Sequence, residues 1–245
     1  PQLVKIDAGW HDELESLLAR AYSVIILPVL TQDGTTPLST SGVLSNFVGQ
    51  FCDVLKKLAS SCVMADDSQL LMSLLDPLRL VEEDKIDLSA EPSASIISAC
   101  MDSVAGMITN GTQSQAIIDA MISLVVGLSK RTDGLTTFSP SVAASSRSLL
   151  QHCLGQESMT ISRHGSIACT FAETRDWEAW CVAVAVNDGI AVDQSLREVE
   201  AALLNPASVD EQLATLVAVR QVVQKSPTPS GLVGRVVAAI GAEIV

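Results

Sequence analysis

Apolar residues recur at helical spacing along almost the whole chain. In residues 10–27, Leu14, Leu17, Leu18, Ala21, Tyr22 and Ile25 fall at i, i+3, i+4, i+7, i+8 and i+11, one face of a helix. Pro28 is expected to end or kink that helix, and "TQDGTTP" reads as the loop after it. A second helix is predicted over 39–61, with Val43, Phe47, Phe51, Val54, Leu55 and Leu58 inward, and a third over 67–80. "EEDKIDLSAEP" is the most charged stretch and reads as an exposed connection. Within it Glu82 and Glu83 are candidates for an acidic binding patch, set against the ordinary reading of a solvated loop.

The clearest unit lies between Pro92 and Ser129. Pro92 suits a first helical turn, and Ile96, Ile97, Cys100, Met101, Val104, Met107 and Ile108 form an apolar stripe behind it. Asn110-Gly111 supplies a left-handed stop. Thr112-Gln113-Ser114-Gln115 has the form of a capping box, followed by a second stripe of Ile117, Ile118, Met121, Ile122, Val125 and Leu128. So short a turn makes the pair an antiparallel helical hairpin. Its only charged side chains are Asp102 and Asp119, which predicts helices covered on several sides or, alternatively, an exposed partner-binding surface.

Further helices are predicted over 140–154, 174–187, 194–204, 207–225 and 230–245. Ser195-Leu196-Arg197-Glu198 and Ser208-Val209-Asp210-Glu211 both read as capping boxes at helix starts, and Asn205-Pro206 and Pro227-Thr228-Pro229 mark breaks. The pattern gives about nine or ten helices and an all-α fold. No linker is long or polar enough to divide the chain, so residues 1–245 read as one continuous segment. Because it opens on Pro1 and stops at Val245 inside a helical pattern, it reads as a piece of a longer polypeptide.

Composition sharpens this picture. Of 245 residues, 48% are hydrophobic and 18% charged, which excludes disorder, while aromatics at 3% leave the apolar mass to small and aliphatic side chains suited to helix packing. The net charge of −13 disfavours nucleic acid and anionic membrane surfaces as direct partners. "AIIDAMISLVVGL", at 13 residues with Asp119 inside, falls short of the ~20 needed to span a bilayer. The six cysteines form no CxxC pair and read as buried reduced thiols, which points to the cytoplasm and makes the Asn110-Gly111-Thr112 sequon inert.

Helical hairpins recurring every 40 residues or so suggest a solenoid, and one stretch carries a resemblance. "ALLNPASVDEQLATLVAVRQVVQ", residues 202–224, resembles the HEAT repeat consensus. Leu203 and Leu204 end a first helix, Asn205-Pro206 turns, Val209 opens a second helix, and Leu213, Leu216 and Val219 continue it. The basic residue that often follows the Val is replaced by Asp210, which leaves the ladder of charge pairs between repeats in doubt. "SLLDPLRLV", residues 73–81, echoes the same turn more weakly. The resemblance implies an α-solenoid of the HEAT or armadillo kind.

Candidate chemistry is sparse. Arg163-His164-Gly165 resembles the opening of a histidine phosphatase, but the βαβ pattern is missing and no histidine follows His164, so it reads as a polar turn. There is no G-x-S-x-G, no Walker or Rossmann glycine motif, and no His/Cys set at ligand spacing; His152 and Cys153, being adjacent, face different ways. No catalytic, cofactor or metal residue is assigned. Trp177 and Trp180 share a helix face with Cys181 and Val184; core packing is the ordinary reading and an exposed aromatic anchor the alternative. Trp10 is a further candidate for partner contact. The expectation is a non-enzymatic cytoplasmic scaffold or adaptor serving trafficking, transport or complex assembly, whose partners are basic segments or another solenoid. The alternatives are a regulatory or non-catalytic region of a larger multidomain enzyme, or a compact bundle burying a ligand.

Overall fold

The computed structural model describes residues 8–31, 42–61, 69–83, 86–89, 91–109, 114–131, 138–156, 159–185 and 190–225. Among them the chain forms ten helices and no strand. In order these are α1 (8–31), α2 (Gly42–Ser61), α3 (Gln69–Glu82), α4 (Ser93–Thr109), α5 (Gln115–Arg131), α6 (Pro140–Leu154), α7 (Ile161–Glu173), α8 (Trp177–Ala185), α9 (Ile190–Leu204) and α10 (Val209–Lys225). The all-α class expected from the pattern is therefore the class observed. The predicted helix over 230–245 and the Thr112 capping box lie outside the described residues.

Contacts gather the chain into two compact units, and the division falls where no sequence signal marked one. The first holds Pro1–Ser114 and Phe138–Ser145, the second Gln115–Thr137 and Ser146–Val245.

In the first unit, α4 packs against both α2 and α3, and α1 packs on α3. Twelve positions of α4 are buried, including every residue of its predicted stripe and also Ala94, Ser98, Ala99, Ser103 and Ala105. A helix buried nearly all round cannot carry charge on its outer face, which is why its sequence holds Asp102 alone. That carboxylate is at the edge, paired with Lys56 at 2.8 Å. Small residues take the remaining buried positions, and Ser98 Oγ lies 2.6 Å from Ser145 Oγ.

Helix α1 departs from expectation at Pro28. Rather than ending, it passes through a π turn at Tyr22–Ile26, where the Leu27 amide donates to the Tyr22 carbonyl, and continues over Leu27–Thr31. The wider turn shifts the hydrogen-bond register just before the residue that lacks an amide proton. It also shifts the buried face. Leu18, Tyr22, Ile26 and Leu30, spaced by four, point inward, while Leu17 is 60% exposed and Ile25 only half-buried. In α2 the inward set is Val48, Phe51, Cys52 and Leu55, with Val54 turned out.

The charged connection after α3 is anchored rather than simply solvated. Ile86 and Leu88 are buried, Asp87 and Ser89 exposed, and Asp87 Oδ1 accepts from the Ser89 amide and hydroxyl at 2.9 and 2.7 Å.

In the second unit, α7 packs on α8, α9 and α5, α8 packs on α9 and α10, and α9 packs on α10. Helix α7 ends in a Schellman turn: Asp176 N–H bonds to the Phe171 carbonyl and Arg175 N–H to that of Ala172, with Arg175 at φ 56°. Asp176 then caps α8 by accepting from the Ala179 amide at 3.1 Å. Helices α9 and α10 meet through the Asn205-Pro206 turn, where Ser208 Oγ accepts from the Glu211 amide at 3.1 Å and Glu211 reaches back to the Ala207 amide at 2.6 Å. That capping box stands where the sequence places it. The one at Ser195 does not: α9 begins at Ile190, and Ser195 is buried within it.

Candidate interaction surfaces

The phosphatase-like tripeptide sits in the first turn of α7, not in a turn between elements. Thr160 caps that helix by accepting from the Arg163 amide, Arg163 pairs with Asp119 at 2.6 Å, and His164 is buried. Burial holds the His164 imidazole below its ordinary value, so it is neutral at physiological pH, and its Nδ1 has no hydrogen-bond partner among the described residues. At Gly165 the Gln194 side chain of α9 occupies the space that a Cβ would take. Each residue of the motif thus has a packing role.

Trp177 and Trp180 are both in the core, 7% and 0% exposed, with ring centroids 5.8 Å apart and planes at 85°. Trp180 Nε1 donates to Ser195 Oγ at 2.9 Å. Core packing is the reading the structure gives them, and neither offers an exposed anchor. Glu82 and Glu83 are exposed at the end of α3. Residue 10 belongs to α1, and the Trp10 side chain lies outside the described residues.

Of the described thiols, Cys52, Cys100 and Cys153 are buried, and Cys169 and Cys181 are half-buried. Burial pushes Cys52 up to about 11 and Cys153 to about 12, and raises Cys100 further. Such groups remain protonated at neutral pH and are poor nucleophiles. No group of three or more His, Cys, Asp or Glu among the described residues could hold a metal ion, and no helix there is long and apolar enough to cross a membrane.

Two surfaces were missed by sequence reasoning. The first, in the first unit, is a groove of about 480 Å³ between α2 and the start of α4, also lined by Ser141 of α6. Gly49, Asp53 and Lys56 contribute from α2, Glu91 and Ser95 from the other wall. The second, in the second unit, is a ridge on α10. Val209, Leu213 and Val217, at i, i+4 and i+8, are 79%, 59% and 46% exposed, and Leu204 at the end of α9 is exposed as well. Of the α10 positions that the HEAT resemblance assigns, Val219 is buried and Leu216 half-buried, but Val209 and Leu213 face solvent; the buried face runs instead through Thr215, Ala218, Val219 and Val222.

Comparison with known protein families, curated proteins and solved structures finds no match to this chain.

Proposed function

We propose that this chain is a non-enzymatic scaffold or adaptor segment, built as a HEAT- or armadillo-type solenoid, that mediates protein–protein interaction in cytoplasmic trafficking, transport or complex assembly. The observation that carries this reading is the solvent-facing ridge of Val209, Leu213 and Val217, since aligned aliphatic side chains left in water are a site for another apolar surface. The helical-repeat element of the proposal draws support from the α9–α10 pair, whose Asn205-Pro206 turn stands at the position the HEAT resemblance assigns. It also draws support from the ion pair between Arg175, in the α7–α8 turn, and Glu211 of α10. That pair links successive helical pairs even though Asp210 breaks the usual pattern.

The test is quantitative affinity capture with the intact protein and with a Leu213→Glu/Val217→Glu variant whose circular dichroism and melting temperature match the parent. Loss of one or more reproducible partners is expected. An unchanged captured set would overturn the ridge as the binding surface, and a scattering profile of a compact sphere instead of a curved rod would overturn the solenoid.

A further inference from the structure

The groove in the first unit has the chemistry of a receptor for a positively charged side chain. Its volume of about 480 Å³ lies in the range of sites that enclose small ligands or a few peptide side chains. Three charged side chains line it. Lys56 is already bound to Asp102 at 2.8 Å, so the cation on the α2 wall is neutralised by its own neighbour. Asp53 is exposed on the same helix, one turn from Gly49, and has no ion pair among the described residues. Glu91 is exposed on the opposite wall, where Oε2 accepts from the Ser95 amide at 3.3 Å.

The start of α4 opposes these carboxylates only weakly. A helix N-terminus carries about half a positive charge, against two full negative charges, and Glu91 already caps it. The groove is therefore net negative, and an anion entering it would meet both carboxylates. The lining also includes the aliphatic side chains of Val48 and Pro92. Carboxylates beside an aliphatic lining match the charged head and long stem of lysine or arginine. Gly49 is exposed in the lining, and a Cβ built there meets nothing within 4 Å, so the groove is open at that point.

We infer that the groove between α2 and the start of α4 binds a lysine- or arginine-bearing peptide segment of a partner protein, its cation between Asp53 and Glu91. The inference rests on the protein-binding reading above and gives it a second site with a stated ligand chemistry.

The test uses a fluorescent lysine-containing peptide in a Gly/Ser background and its norleucine counterpart, which keeps the aliphatic stem and lacks the charge. The protein is the intact chain. Asp53→Asn/Glu91→Gln keeps side-chain shape and the cap on Ser95 while removing both charges, and is expected to weaken lysine-peptide binding roughly tenfold. Gly49→Met places a long side chain in the groove from a position whose Cβ meets nothing within 4 Å, and is expected to abolish binding. Glu13→Gln/Glu173→Gln changes net charge equally at exposed sites elsewhere and is expected to leave binding unchanged. The norleucine peptide should bind at least tenfold more weakly than the lysine peptide, and raised salt should weaken the latter. Equal losses in the two charge-removing variants would reduce the effect to attraction by the whole acidic chain and overturn the site, as would binding that survives Gly49→Met. Either failure leaves the α10 ridge, and the capture experiment that tests it, untouched.

Discussion

Arg175 shows how one residue can hold two opposed terms. It occupies the left-handed position of the Schellman turn, where glycine is favoured and a side chain costs about 1 kcal/mol. Its guanidinium offsets that cost by pairing with Glu211 and donating to the Asn205 carbonyl at 3.4 Å. Arg175→Gly should therefore come out close to neutral, losing the pair and relieving the backbone. Arg175→Ala loses the pair and keeps the strain, and should be less stable than the glycine variant by about 1 kcal/mol in chemical denaturation. The tryptophans divide in a similar way. Trp180→Phe removes a buried hydrogen bond to Ser195, whereas Trp177 Nε1 has no partner among the described residues. Trp180→Phe should thus cost about 1 kcal/mol more than Trp177→Phe. Either residue cut to alanine leaves a core cavity and should cost about 3–5 kcal/mol, so such variants report on folding and not on a surface. His164 adds a pH dependence. Its imidazole titrates lower folded than unfolded, so the unfolded chain takes up the proton first and stability falls as pH drops through the ordinary histidine value near 6.5. Melting temperature measured from about pH 7.5 down to about pH 5.5 should fall, and His164→Leu should flatten that slope.

At the scale of elements, Gly165 of α7 leaves room for the Gln194 side chain of α9. Gly165→Leu forces the new side chain into Gln194 and should destabilise by about 1–3 kcal/mol, with Gln194→Ala in the same chain returning part of that loss. The Gly49→Ala change, by contrast, meets open space and should stabilise α2 by about 0.5–1 kcal/mol. Much of the element order was legible because α4 and α5 carry uninterrupted stripes that no strand period could produce. Misreadings fall where one dipeptide or tetrapeptide has two uses. Asn205-Pro206 turns the chain because Ser208 and Glu211 follow and cap a new helix. Asp76-Pro77 lies inside α3 because Leu78, Arg79, Leu80 and Val81 continue the helical face, so the weaker HEAT echo there is corrected. Ser195-Leu196-Arg197-Glu198 has the letters of a cap, but its serine is turned to Trp180. Helix α7 was hidden by a polar first turn; Thr160 as cap and Ile167, Ala168, Phe171 and Ala172, all buried, are the signal that would have revealed it.

At the scale of the whole molecule, the sequence could not show the groove, because its walls come from positions such as Cys52 and Ser95 that are 43 residues apart. Adjacency of that kind is made by the packing of α2 on α4, not by any local period. Helix packing within each unit also leaves thiols of graded exposure, which makes the native state readable by chemistry. In the first unit Cys100 is 1% exposed and Cys52 borders the groove; in the second Cys153 is fully buried while Cys169 and Cys181 are half-buried. Labelling requires a thiolate in contact with reagent, and burial works against both conditions at Cys100 and Cys153. Under native conditions at about pH 8 a maleimide should modify, among the described thiols, Cys169 and Cys181 first, Cys52 more slowly, and Cys100 and Cys153 only as each unit opens. Mass spectrometry of the labelled peptides measures that order directly. Cys100 and Cys153 then report the opening free energy of the first and second units separately. Fast native labelling of either one would mean that its core is not packed as described.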